Sequence, residues 1–125
     1  MIRGIGVDII ENNRIKKSID KFGNLFLEKI FSNQEIEYCQ KKFDSFSSFA
    51  VRFACKEAFL KALGTGIRGN ILLKDIYVVN DEFGKPSVVI NDKIKIVFNK
   101  NNISRCHISL SHSKEFSVAQ VILEG

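Results

Sequence analysis

The chain has 125 residues, 45% of them hydrophobic and 26% charged, and its 19 basic and 14 acidic side chains give a formal net charge of +5. This length and composition fit one globular domain with a core of its own and exclude a largely disordered chain. No apolar run approaches the roughly 18 residues of a membrane span, and no signal-peptide pattern opens the sequence, so we expect a complete, cytoplasmic protein. The positive charge favours anionic partners, among them nucleic acids, anionic lipids, phosphorylated cofactors and acidic proteins.

The first predicted elements are a strand and a helix. Apolar residues dominate positions 2–10, and Gly4 and Gly6 within them predict a strand that another backbone approaches closely. A helix is expected from residue 12 or 13 to about Phe22. One of its faces is a basic ridge, formed by Arg14, Lys17 and Lys21. By itself such a ridge is a solvated helix face or, as a second choice, an anion-binding surface.

Three further helices are expected before residue 65. A short buried one covers residues 25–31, and the capping-box spacing of Ser32 and Glu35 starts another that runs to about residue 42. The longest spans residues 45–63 and stops at Gly64. Along it runs a stripe of small side chains that lets another element pack very closely: Ala50, Ala54, Ala58 and Ala62.

The C-terminal half is predicted to be mainly strands. Residues 71–79 and 86–90 have the pattern of a hairpin. Residues 92–101 fit both a strand and a helix, and we favour the helix. Two closing strands follow at residues 106–111 and 116–123. With no repeat and no linker, the sequence predicts a single α+β domain over residues 1–125.

Three cysteines are widely separated in the sequence, at Cys39, Cys55 and Cys106. They form no Cys-x-x-Cys pair, and their odd number leaves at least one thiol without a disulfide. We expect free buried thiols in a reducing compartment, and neither disulfides nor a zinc site.

Asp8 is the first candidate functional residue, because it stands where the apolar strand ends. A carboxylate at that position contributes little to packing but is well placed to ligate a cation. Capping of the following turn is the alternative, and on spacing alone it is favoured.

Glu57 and Lys61 are the second candidates. They lie four residues apart and therefore on one helical face. The spacing suits either a solvent-exposed ion pair, worth roughly 0.3 to 0.5 kcal/mol, or a carboxylate and a lysine aimed together at a metal-bound phosphate. On spacing alone the solvent-exposed pair is favoured. Arg52, Lys56 and the Gly-Thr-Gly turn at residues 64–66 shift the balance towards the second possibility, because amides in such a turn can approach an anion.

Both histidines fall in one segment, His-Ile-Ser-Leu-Ser-His, at residues 107–112. Strand alternation places His107, Ser109 and Ser111 on one face, which either lines a site or faces water. No nucleophile elbow surrounds the serines, so a hydrolase triad is excluded.

Three segments together resemble the holo-acyl-carrier-protein synthases among the 4′-phosphopantetheinyl transferases. They are Gly-Ile-Gly-Val-Asp-Ile at 4–9, Arg-Phe-Ala-Cys-Lys-Glu-Ala at 52–58 continuing through Gly-Thr-Gly-Ile at 64–67, and His-Ile-Ser-Leu-Ser-His-Ser at 107–113. Their order and spacing are specific, and the likeness covers nearly the whole chain. It implies a small fold in which a long central helix packs on an antiparallel sheet.

The resemblance also implies an activity: transfer of 4′-phosphopantetheine from coenzyme A to a serine of apo-acyl carrier protein, releasing adenosine 3′,5′-bisphosphate. By resemblance, Asp8 and Glu57 hold Mg²⁺, which also binds the coenzyme A pyrophosphate, in keeping with the preference of this ion for oxygen ligands. Lys61 then contacts the phosphate under attack, and Glu57 or a metal-bound water is the base.

The remaining expected roles concern substrates and assembly. The nucleotide phosphates are expected to be held by Arg52, by His107 and by the turn of Gly64, Thr65 and Gly66. The basic ridge is expected to dock an acidic acyl carrier protein. The resemblance further implies a homotrimer with each site at a subunit junction, and neither nucleic acid nor membrane as partner.

Two positions depart from the family pattern, and one rival function is retained. Asn12 replaces an apolar residue, which affects the packing expected at the start of the first helix. Ser113 follows His112 where threonine or aspartate is common, and we assign it no catalytic role. The rival is a small basic nucleic-acid- or scaffold-binding module without catalysis.

Overall fold

The computed structural model describes residues 1–64 and 70–125. Thr65 and Gly66, predicted to contact the cofactor, lie outside the described residues. The elements in chain order are β1 (Ile2–Glu11), α1 (Asn12–Phe22), α2 (Asn24–Ile30), α3 (Asn33–Gln40), α4 (Ser45–Leu63), a 3₁₀ turn (Leu73–Asp75), β2 (Tyr77–Asn80), β3 (Pro86–Val89), α5 (Asp92–Lys100), β4 (Arg105–His112) and β5 (Phe116–Glu124).

The described strands form two antiparallel sheets. In the larger one, β5 lies between β1 and β4 and pairs antiparallel with both. The smaller one is the hairpin of β2 and β3. Helix α4 packs against β1 and β5 and supplies much of the buried core. The predicted α+β class, with a long helix on an antiparallel sheet, is confirmed.

The close approach predicted for the first strand occurs between β1 and α4. A β-carbon added at Gly6 would lie 1.9 Å from the carbonyl oxygen of Ala58, and one added at Gly4 would lie 2.0 Å from that of Ala62. Only glycine fits at either strand position, because the neighbouring atoms belong to the helix backbone. The glycines and the alanine stripe therefore form one interface, as their patterns predict.

Most helix boundaries follow local signals. Ser32 and Glu35 make the predicted capping box at the start of α3. Helix α4 spans Ser45–Leu63 and ends at Gly64, whose φ is 80°. The ambiguous segment is the helix α5, and the side chain of Asn91 caps it by accepting a hydrogen bond from the Ile94 N–H. None of the described helices combines the length and hydropathy that a membrane crossing requires.

The prediction of a strand over residues 71–79 is wrong in its first part, because β2 begins only at Tyr77. The preceding turn is held by side chains instead of by a neighbouring strand. The Lys56 ammonium donates to the carbonyls of Leu73 and Ile76, and the Asp75 carboxylate accepts from the Leu72 N–H at 2.7 Å. These tertiary contacts replace the backbone pairing that the apolar pattern predicts.

Asn12, which departs from the family pattern, is buried and fully hydrogen-bonded. Its Nδ2 donates to the carbonyls of Ser113 and Lys114 at 2.9 and 3.1 Å, and its Oδ1 accepts from the Ser117 hydroxyl at 2.6 Å. The start of α1 is thus fastened to the turn between β4 and β5 by polar contacts.

The three cysteines are free thiols, as predicted. Cys39 and Cys55 are buried, whereas Cys106 is only partly so. Burial raises the pKa of all three, and for Cys55 and Cys106 it raises the pKa to about 12. All three are therefore protonated and unreactive at neutral pH.

Candidate active site

Asp8 faces helix α4 from the middle of β1. Its Oδ1 lies 3.0 Å from Lys61 Nζ, and the same ammonium donates to the Val7 carbonyl at 3.0 Å. The capping alternative for Asp8 is wrong: α1 begins after Glu11, and no side chain caps it. The contact instead joins the strand to the last turn of α4.

Glu57 lies on the same side of α4 as Lys61, and its side chain is half-buried. Within the described residues, the ion pair of Lys61 is with Asp8 and not with Glu57. A solvent-exposed Glu57–Lys61 pair is therefore absent. The Glu57 carboxylate instead lines a cavity.

This first cavity brings the two predicted metal ligands together. It has a volume of about 250 Å³, and Asp8 and Glu57 both line it. Arg14 from the basic ridge lies in the same wall, beside the apolar rings of Phe26 and Phe53. Two carboxylates and one cation thus line one small recess, and the Lys61 ammonium pairs with one of those carboxylates. This arrangement suits a phosphate that arrives with a divalent cation.

The donor set fits magnesium better than zinc. Among the described residues no cluster of three or more His, Cys, Asp or Glu side chains could enclose a metal ion. Two carboxylates with open coordination positions suit Mg²⁺, which usually keeps waters and binds substrate phosphates. The Lys61 ammonium beside Asp8 supplies a further positive charge for such a phosphate.

Arg52 lies in a second cavity, of about 430 Å³. The side chain is 3% exposed, its Nη1 donates to the Ser48 hydroxyl at 3.1 Å, and its Nη2 donates to Asn80. The guanidinium carbon lies 4.4 Å from the centroid of the Tyr38 ring. Arg52 Nε has no hydrogen-bond partner. Arg52 is therefore a rigidly held cation in the lining of this cavity, and its Nε–H is buried without a partner.

The predicted site residues do not all meet within one chain. Arg52 precedes Lys61 by nine residues, which is about 13 Å along the helix axis. His107 lies on the sheet face that points away from α4, where its Nε2 is 3.0 Å from Glu124 Oε1. The structure thus unites Asp8, Glu57 and Lys61 but holds Arg52 and His107 apart from them.

His112 lines the Arg52 cavity, and the sequence analysis gave it no role. It pairs with Ser117 and shares its sheet face with Ile108 and Leu110, towards the core. Strand alternation places His107 on one face of β4 and His112 on the opposite face, with Ile108. The position of His112 on the inner face could therefore have been predicted from the sequence. Asn80 and Tyr38, which also line this cavity, carry no comparable local signal.

The basic ridge is exposed along α1, as predicted: Arg14, Lys17 and Lys21 all face solvent. Arg14 also borders the first cavity. The ridge therefore leads from the surface of α1 to the carboxylates of Asp8 and Glu57.

Comparison with known proteins agrees with this geometry. The family model described as the 4′-phosphopantetheinyl transferase superfamily matches residues 4–121. The chain therefore belongs to the 4′-phosphopantetheinyl transferase superfamily. Within it, the holo-[acyl-carrier-protein] synthase of Halothermothrix orenii is 45% identical, over 99% of this chain and 98% of the relative.

Solved structures give the same result. The holo-[acyl-carrier-protein] synthase of Neisseria meningitidis superposes with a TM-score of 0.91 at 35% identity, and the match covers all of both chains. The Bacillus anthracis synthase, solved in complex with CoA (3′,5′-ADP), has a TM-score of 0.79 at 43% identity, with 98% of this chain and 96% of that chain covered. The chain is thus similar to holo-acyl-carrier-protein synthases over its full length.

Proposed function

We propose that this chain transfers the 4′-phosphopantetheine group of coenzyme A to a serine hydroxyl of an apo-acyl carrier protein and releases adenosine 3′,5′-bisphosphate. The cavity lined by Asp8 and Glu57, with Lys61 paired to Asp8, carries the proposal. Relatives of nearly equal length, all holo-[acyl-carrier-protein] synthases, support the same activity. The rival nucleic-acid- or scaffold-binding module has no comparable support.

The two carboxylates of the first cavity and the lysine paired with Asp8 each have a role in the proposed displacement at phosphorus. Asp8 and Glu57 would hold Mg²⁺, which when bound neutralises charge on the pyrophosphate. The serine oxygen forms a bond to the phosphorus that bears the pantetheine arm, and the bond from that phosphorus to the bisphosphate oxygen breaks. Glu57 accepts the serine proton, and Lys61 stabilises the negative charge that develops on the departing bisphosphate.

We assign the nucleotide end of coenzyme A to the Arg52 cavity. Its support is chemical: Arg52 is held rigidly and has a buried, unpartnered Nε–H, and Lys42 and His112 line the same space. An arriving phosphate would meet a preorganised guanidinium together with these two side chains. We also propose that the turn that includes Gly64 contacts a phosphate of coenzyme A, as its sequence predicts.

A homotrimer with each site at a subunit junction would unite the two cavities. The outer face of the larger sheet exposes three apolar side chains in a row, Ile5 (58% exposed), Val7 (56%) and Ile9 (64%). Contiguous apolar surface of this kind marks an interface. His107 lies on that same face, so association there would carry it into a junction.

We expect Ile9→Arg to dissociate the assembly, as measured by light scattering during gel filtration, and to abolish transfer.

Carrier docking is assigned to the basic ridge. Its cations lead along α1 to the first cavity, so an acidic carrier bound there would present its serine near Glu57. Charge complementarity of this kind increases the association rate, and salt weakens the attraction.

We also place the reaction in the cytoplasm, in keeping with the three free thiols.

The test incubates the protein with coenzyme A, Mg²⁺ and an apo-acyl carrier protein and monitors the carrier by mass spectrometry. The expected result is a mass gain of one phosphopantetheine that disappears with EDTA. Glu57→Gln should remove the gain, whereas Glu37→Gln, an exposed change on α3, should preserve it. No gain with several different carriers would refute the proposed reaction, and tight metal-independent DNA binding would favour the rival.

A further inference from the structure

One ion pair of α4 lies outside both cavities and is completely buried. Lys56 Nζ is 2.8 Å from Glu35 Oε1, and the two side chains are 0% and 1% exposed. Burial lowers the pKa of the Lys56 ammonium, and the charge of Glu35 opposes that change. Because desolvation can exceed the attraction in a buried pair, net stability is a poor explanation for it. Its other contacts indicate a different role.

The pair fastens the start of strand β2. Lys56 Nζ donates to the carbonyls of Leu73, at 3.0 Å, and Ile76. Glu35 Oε2 accepts from the Val78 N–H at 3.1 Å. The Ser32 N–H also donates to Glu35 Oε1, at 3.0 Å, so six polar groups on three segments meet at one buried point. The first residues of β2 cannot shift relative to α3 and α4 without breaking these bonds.

The far end of β2 borders the Arg52 cavity. Asn80, the last residue of β2, accepts from Arg52 and lines the cavity together with Gly84 and Pro86 of the same hairpin. Arg52 lies one helical turn before Lys56 on α4, so the two cations hold opposite ends of one short strand. The hairpin and α4 therefore both contribute to the lining of this cavity.

We propose that Lys56 and Glu35 are positioning residues for coenzyme A. They fix the β2–β3 hairpin against α4 and so set the width of the Arg52 cavity and its affinity for the nucleotide end of coenzyme A. Neither residue lines that cavity or touches the reacting groups. The inference rests on the proposed function, because it takes the Arg52 cavity as the nucleotide site.

The first variant is Glu35→Gln, which keeps the size of the side chain and an oxygen for the Val78 N–H. It removes the charge opposite Lys56 and, with it, the oxygen that accepts from the Ser32 N–H in the capping box of α3. We expect the KM for coenzyme A to rise about tenfold, a loss in keeping with a weakened network of charged hydrogen bonds. The kcat and the KM for the carrier should change less than about twofold, since Glu57 and the basic ridge are untouched. Glu28→Gln, an exposed change on α2, is the matched control and should leave all three constants unchanged.

The second variant, Glu35→Met with Lys56→Met, separates positioning from folding. An apolar pair of similar volume avoids an unpaired buried charge and removes every bond to the hairpin. It also leaves the carbonyls of Leu73 and Ile76 and the Val78 N–H without these partners, so the variant should be less stable than wild type. We expect a folded protein with the same selective rise in the KM for coenzyme A. Hydrogen exchange at Tyr77–Asn80 should accelerate while exchange in α1 stays unchanged.

The outcomes distinguish this inference from the proposed function. Wild-type protein that transfers nothing refutes the proposed function, and the exchange measurement still reports whether the pair anchors β2. Folded variants with an unchanged KM for coenzyme A, or with equal losses for both substrates, would overturn the positioning role. Failure of both variants to fold would also overturn it, because the pair would then serve general stability.

Discussion

The contact between β1 and α4 makes Gly6→Ala the sharpest test of the fold. The new methyl would lie 1.9 Å from the Ala58 carbonyl oxygen and 2.8 Å from the Ala62 nitrogen. Ordinary contact begins at 3.4 Å, so the strand and helix would have to separate by 1.5 Å, the difference between 3.4 and 1.9 Å. Both neighbours are helix backbone and cannot rotate away, so we expect the upper end of overpacking costs, about 3 kcal/mol of unfolding free energy.

The same substitution should impair catalysis more than stability alone explains. Asp8 lies two residues from Gly6 on the same strand face, so separation of β1 from α4 also moves the carboxylate away from Glu57 and Lys61. Misplacement of a reacting group by 1 Å can lower the rate about 100-fold. We therefore expect a loss of about that size in kcat/KM under conditions where the variant is still folded.

Urea denaturation at one fixed protein concentration measures the stability change, and mass spectrometry of the carrier measures the rate. Ser87→Thr, which adds one methyl at an exposed strand position of β3, is the control and should lose little of either. Adding Ala58→Gly to the Gly6→Ala variant should not rescue it, since the clash is with the carbonyl and not with the alanine methyl. An unfolding free energy within about 0.5 kcal/mol of wild type would refute the packing argument.

The other predictions concern the site and the thiols. If Glu57 is both the base and a magnesium ligand, as proposed, Glu57→Gln should lower kcat by more than the factor of about 10² to 10⁴ typical of a lost base. A rate that keeps its full magnesium dependence would contradict the proposed metal role. Lys61→Ala should lower kcat more than it raises the KM for coenzyme A, and the reverse would limit Lys61 to substrate binding. Arg14→Glu should raise the KM for the carrier, more at low than at high salt, and an unchanged value would remove α1 from the docking surface. Burial raises the pKa of Cys55 and of Cys106 from 9.0 to about 12. As the pH rises, the two thiols lose their protons in the unfolded chain before they do so in the folded protein. Deprotonation therefore favours the unfolded chain, and the unfolding free energy should fall between about pH 9 and about pH 12. Replacing both thiols by alanine should flatten that fall in urea titrations.

Local signals account for most of the elements. Helix α4 was predicted at its observed bounds because Gly64 and the periodic pattern before it depend only on neighbouring residues. The capping box at Ser32 and the close approach at Gly6 were likewise predictable, since capping and the absence of a β-carbon are properties of the residues themselves.

The candidate site was predicted as a set of residues but not as an arrangement. The sequence spacing pairs Lys61 with Glu57, whereas the fold brings it to Asp8, 53 residues away, because α4 packs across β1. Tertiary packing also buries Lys56. Its ammonium donates to the carbonyl of Ile76, which therefore lies before the first residue of β2 and not within the predicted strand.

The sequence by itself determined the order of the elements, the glycine and alanine interface, and the superfamily to which the chain belongs, because each depends on residue type and spacing. Only the tertiary structure decided which charges meet. It placed Asp8 and Glu57 at one cavity, with Lys61 paired to Asp8, and Arg52 at another. It also set His107 on the outer face of the sheet. The physical reason is that ion pairs and cavities form between segments distant in sequence, where packing fixes the distances that periodicity leaves open.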